Sequence, residues 1–173
     1  MKAKIKNETI EDEEDKLIRE ENGKYLPLLF ALVASTIAIL FDTHNLHASL
    51  FESRPSLNGA MVAVAFLVAW VFFGIFMGYT KKKTFMKVVS LYWGIGCLLY
   101  IIGEWAGSTK NLSLLKGLMS PLYIHFLTPT YGLGYYYGNI SFLNIIVSWS
   151  SGALGFLLGY SLKKLSVRML SDK

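Results

Sequence analysis

Charge is what the apolar part of this chain lacks. Four runs, at 25–41, 59–79, 85–105 and 140–162, hold only two charged side chains between them, Lys87 and Glu104, and each sits near the end of its run. An ion- or proton-coupled pump needs polar relays and broken helices at depth, and neither is visible. Cysteine is the next scarcity. With Cys97 alone, no disulfide within the chain and no CxxC metal or redox site can form. Cys97 lies inside an apolar run with no histidine or acid nearby in sequence, so it reads as a small buried hydrophobe rather than a nucleophile. Arginine is rare too, three against fourteen lysines, and no basic patch is interleaved with aromatics; nucleic acid is therefore not an expected partner despite the net charge of +5. The lysine bias hints at an AT-rich bacterial source.

What is present is segregation. The chain is 53% hydrophobic and 17% charged, against about 45–50% and about 25% in a soluble domain. The charges gather in the first 24 residues, at 80–87 and at the C-terminus. The expected fold class is thus an all-α integral membrane protein, because in lipid a spanning backbone must satisfy its own hydrogen bonds. The first run lacks the short core and small-residue cleavage site of a signal peptide, so the first span is expected to be the insertion signal.

Topology follows from the basic residues. With four spans, one side receives Lys2, Lys4, Lys6, Lys16, Arg19, Lys24, Lys81, Lys82, Lys83, Lys87, Lys163, Lys164, Arg168 and Lys173, which is 14 of the 17 basic residues. The positive-inside rule then puts both termini in the cytoplasm and the protein in a bacterial cytoplasmic (inner) membrane. A fifth span would export the basic tail. The expected organisation is a charged cytoplasmic helix within 1–24, a four-span domain over 25–162 and a basic cytoplasmic tail over 163–173. Asp12/Lys16, Asp15/Arg19 and Glu20/Lys24 are i,i+4 pairs that support the first of these as a solvated helix.

The stretch 112–137, LSLLKGLMSPLYIHFLTPTYGLGYYY, is apolar but broken by Lys116, Pro121, Pro129 and three glycines, and carries half of the ten tyrosines. Leu114, Leu118, Leu122 and Phe126 recur every four residues, which predicts an amphipathic helix on the extracytoplasmic surface, with a turn at Pro129 and Gly132. The alternative is a re-entrant segment shielded by protein.

Small residues mark packing faces: Gly74 and Gly78 in the second span, and Ser151, Gly155 and Gly159 in the fourth. They serve either packing inside one chain or a homo-oligomer or partner-subunit surface.

In this topology Asp42, His44, His47, Glu52, Glu104 and His125 all fall at the extracytoplasmic boundary. The stretch FDTHNLHASLFES at 41–53 brings four of them together. The candidate ligand-binding residues are Asp42, His44, His47, Glu104 and His125. If a divalent metal binds, His44, His47, His125 and Glu104 are its ligands, since imidazole and carboxylate suit such ions. The local set cannot close a site alone: His44 and His47 share a helical face from which Asp42 points away, and no HExxH is present. No cofactor is favoured. Asn111 and Asn139 open Asn-x-Ser sequons, which matter only in a eukaryotic secretory pathway.

Three functions follow, in order of preference. The first is a non-catalytic membrane subunit or binding module that packs with itself or a partner and takes a lipid or small ligand at the outer leaflet. The second is a membrane enzyme, metal-dependent or not, acting on lipid-linked substrates at the outer face. The third is an oligomeric transporter or channel component.

Overall fold

A computed structural model describes residues 25–41, 54–82, 84–108, 125–138 and 141–171, with backbone alone at Glu104, 106–108, Ser141 and Ser171. The described part is all-helical: 92% of it is helix and none is strand. The helices are α1 (Tyr25–Phe41), α2 (Leu57–Tyr79), α3 (Thr84–Ser108), α4 (125–131), α5 (Gly134–Tyr137) and α6 (Ser141–Ser171). Three stretches are long and apolar enough to cross a bilayer: Leu57–Tyr79, Thr84–Gly103 and Phe142–Leu170, with mean hydropathies of 2.6, 1.8 and 1.5. The helix α1, expected as the first span, is apolar but shorter; its 17 residues rise about 26 Å, against a hydrocarbon core of about 30 Å.

Local chemistry sets the ends of α2. The Ser56 hydroxyl accepts from the Gly59 N–H at 3.0 Å, filling the N-cap. At the other end Lys81 N–H donates to Gly78 O and Lys82 N–H to Met77 O, both at 3.0 Å, which is a Schellman closure. Its left-handed residue is Lys81, with φ 56°, where glycine is usual. The last helix, α6, runs unbroken to Ser171, past the boundary expected at Leu162.

Two kinds of packing hold the bundle. Along α2 and α6 the contacts advance together, Val71 with Gly155 and Ile75 with Gly159, so the two helices run parallel. Gly74 and Gly78 face the α6 backbone in return, and a Cβ at Gly74 would come within 2.5 Å of Gly152 O. Ser151 is buried one residue away, its hydroxyl donating to Ser148 O at 2.8 Å. The glycines of the two stripes are therefore occupied within one chain.

Aromatic rings fill the space between α1, α2, α3 and α4. Trp70 and Trp93 are fully buried, with centroids 5.9 Å apart. Neither indole N–H has a hydrogen-bond acceptor, but each tryptophan has an edge-to-face neighbour: Phe30 for Trp70 at 5.3 Å and Tyr92 for Trp93 at 5.2 Å. The Tyr92 hydroxyl pairs with Ser35 of α1 at 3.0 Å. Large apolar side chains cover the outside, among them Phe72, Leu91, Leu98, Leu154 and Leu157, a surface suited to lipid rather than to water.

Of the stretch 112–137, residues 112–124, with Leu114, Leu118 and Leu122 of the expected amphipathic repeat, lie outside the described residues, and 125–138 is seen. Nine consecutive residues, 126–134, are buried, leaving no wet face. Phe126 lies on Gly96 and stacks near Tyr92 at 4.7 Å, while Gly132 meets the backbone of Gly59. The segment thus runs from the middle of α3 to the N-terminal end of α2. The turn expected at Pro129 and Gly132 begins only at the glycine: the chain stays helical through Pro129 to Tyr131.

Candidate functional site

Only one of the expected ligand residues has a described side chain. Asp42, His44, His47 and Glu52 lie outside the described residues, as does the side chain of Glu104. Among the described residues no group of three or more His, Cys, Asp or Glu could hold a metal. Cys97 is a free, partly buried thiol in α3. His125, expected at the outer rim, sits at the start of α4 with its ring against Tyr92 at 6.5 Å and Phe126 at 5.9 Å. Tyr92 is nearer the Thr84 end of α3 than the Ser108 end, so His125 lies deeper than its place in the sequence implies. Its Nε2 is sealed and has no hydrogen-bond partner.

The chain also buries polar side chains that the apolar runs conceal. Thr128 and Thr130 flank the buried Pro129 and are themselves fully buried. The Thr130 hydroxyl donates to Leu127 O at 3.2 Å, a local bond that occupies its hydrogen. On α6, Asn144, Ser148 and Ser151 follow at i, i+4 and i+7 and are all buried. Ser148 donates to Asn144 O at 2.8 Å. Tyr137, at the end of α5, donates its hydroxyl to the Asn144 side-chain oxygen. Partial burial pushes the Tyr137 phenol up from its ordinary value, which keeps the proton that this bond requires. The Asn144 Nδ2 remains sealed without an acceptor.

The Tyr137–Asn144 bond joins the 125–138 segment to the first half of α6, and the buried Ser148 and Ser151 continue this polar seam along the helix. Its unmet capacity is the Asn144 amide, a donor; His125 Nε2, beside Tyr92 and Phe126, is a second unmet group, donor or acceptor by tautomer. In an apolar bundle an unmet group of this kind costs about 1–3 kcal/mol. The seam can therefore receive an oxygen-bearing group, provided the residues sealing it give way. At its mouth Tyr135 and Tyr136 are exposed, as suits rings at headgroup level.

Residue spacing could have found part of this seam. Asn144 is the only carboxamide in the fourth apolar run, and Ser148 and Ser151 fall on its helical face. Nothing local tells that Tyr137, one of three consecutive tyrosines, is the one that reaches it. Comparison with protein-family models, with curated proteins and with solved structures finds no match for the chain.

Proposed function

We propose that the protein is a four-span membrane protein with both termini on the cytoplasmic side, whose 112–137 segment re-enters the bundle and forms a binding element for a lipid or small ligand from the outer leaflet. The observation that carries this reading is the polar seam. Buried polar groups are expensive inside a membrane and mark function more often than architecture. Here His125 Nε2 in the 125–138 segment and Asn144 Nδ2 in α6 are each sealed without a partner.

The parallel run of α2 and α6 supports the four-span reading, because parallel spans are separated by an odd number of crossings, here α3. The Lys163 ammonium lies over the Tyr79 ring at 4.9 Å, which joins the basic 80–82 turn and the basic end of α6 at one end of the bundle, as the positive-inside rule expects. The shorter α1 spans with the help of local thinning or tilting neighbours. The seam is closed in this structure, so binding requires 125–138 to shift from α6. A metal-dependent enzyme would need Asp42, His44, His47 or Glu104 to join His125, and those side chains are outside the described residues.

Native mass spectrometry of the full chain, extracted gently from its membrane, tests the proposal. Wild type is expected to carry a co-purifying molecule that folded Asn144→Leu and His125→Phe variants lose. A wild-type spectrum with no adduct beyond that of the variants would end the ligand reading.

A further inference from the structure

The basic end of the bundle has a construction of its own. Lys81 and Lys82 lie in the turn that closes α2, and Lys163, Lys164 and Arg168 lie on the last turns of α6. The contact of Lys163 with Tyr79 holds these two groups side by side. Lys82 and Lys163 are half-buried, whereas Lys81, Lys87, Lys164 and Arg168 are exposed. Lys81 also occupies a left-handed backbone position, φ 56°, that disfavours any residue with a Cβ. A lysine at such a position directs attention to its charge.

The apolar neighbours of these cations identify the occupant. The apolar stretch of α6, 29 residues, rises about 43 Å, well beyond the hydrocarbon thickness of about 30 Å. Its far end passes the last residue of α2 and exposes Leu165, Val167, Met169 and Leu170 among the cations. Nucleic acid or an acidic protein would neutralise the lysines and leave those side chains in water. A bilayer surface takes both: phosphates pair with the cations, and acyl chains cover the leucines and methionine.

We propose that the 80–82 turn and the 163–170 end of α6 form one docking surface for anionic phospholipid headgroups. The proposal goes beyond the ligand seam and shares with it only that the bundle crosses a bilayer, which alkaline carbonate extraction checks separately. An interfacial lysine adds about a fivefold preference for anionic lipid, so several acting together bind selectively.

The test uses the full chain in nanodiscs containing equal parts phosphatidylglycerol and phosphatidylcholine, with retained lipids counted by native mass spectrometry. Wild type is expected to retain phosphatidylglycerol in excess. The quadruple variant Lys81→Gln, Lys82→Gln, Lys163→Gln, Lys164→Gln should lose that excess, by about fivefold for each lysine removed. Arginine at the same four positions should preserve it, as should Arg54→Gln at the opposite end of α2. Equal retention of the two lipids by wild type, or an excess that survives in the inserted glutamine variant, overturns the proposal. So does an excess seen only after Glu11, Asp12, Glu13, Glu14 and Asp15 are neutralised, since the chain's own acidic stretch would then be the occupant.

Discussion

The two halves of α6 are held by opposite means. From Gly152 onward the helix meets α2 backbone to backbone, with glycine on both sides and no side-chain polarity in the contact. Before Gly152 it carries Asn144, Ser148 and Ser151 into a seam of hydroxyls and amides. Inside a membrane the hydrophobic effect does not draw helices together, because lipid is as apolar as leucine. What remains is close contact and hydrogen bonding, and α6 uses one in each half. The glycine half has two fixed surfaces and a single way to fit. The polar half has side chains whose bonds can be exchanged for those of a ligand. The contrast makes the first half the frame and the second half a set of side-chain hydrogen bonds.

The largest expected effect breaks the frame. A side chain at Gly159 would drive its Cβ into the backbone of Ile75, and backbone cannot rotate aside. Gly159→Leu is therefore expected to destabilise the protein by about 3 kcal/mol or more, at the upper end of overpacking. Thermal unfolding in detergent should show a large drop in Tm or loss of folded protein. Gly94→Ala is the matched control, since its Cβ would meet nothing within 4 Å. If Gly159→Leu behaves like Gly94→Ala, the parallel glycine pair is not the frame.

The second effect is smaller and separates the polar half by its non-additivity. Tyr137→Phe leaves the Asn144 amide with no partner at either end, a loss of about 1–2 kcal/mol. Replacing both groups, as Tyr137→Phe with Asn144→Leu, should recover much of that loss, because an apolar pair owes nothing to water. A double-mutant cycle on Tm or chemical unfolding measures it. Additive losses would mean that the two side chains are not coupled.

The frame was more legible in the sequence than the seam, for physical reasons. The expected spans 59–79 and 85–105 fall within two residues of Leu57–Tyr79 and three of Thr84–Ser108, because apolar length is a local signal. Gly74, Gly78, Gly155 and Gly159 stand out by spacing alone, although their pairing across helices could not be read from either run. The helix α6 continues beyond the span end expected at Leu162: hydropathy falls at Lys163, but no glycine or proline after Gly159 stops the helix. The depth of His125 was hidden for another reason. A four-residue repeat looks the same whether water or protein covers the opposite face, and only the approach of Phe126 to Gly96 and of Gly132 to Gly59 decides it.

The smallest expected effect compares how the two regions end their helices. In the polar region α5 is followed by Gly138 at φ 87°, and in the frame α2 is followed by Lys81 at φ 56°. Both positions are left-handed, and only the glycine is at ease there. Gly138→Ala should cost about 1 kcal/mol and Lys81→Gly should gain up to about 1 kcal/mol, if backbone strain alone counts. Unfolding measured in zwitterionic detergent, where no anionic headgroup is available, isolates that strain. The same Lys81→Gly variant in anionic nanodiscs should give back part of its gain, since a cation of the lipid-facing turn has been removed. A gain of the same size in both media would leave Lys81 as strain without a compensating charge. A gain that shrinks as phosphatidylglycerol is added would mean that the frame tolerates a strained residue because the membrane surface holds its side chain.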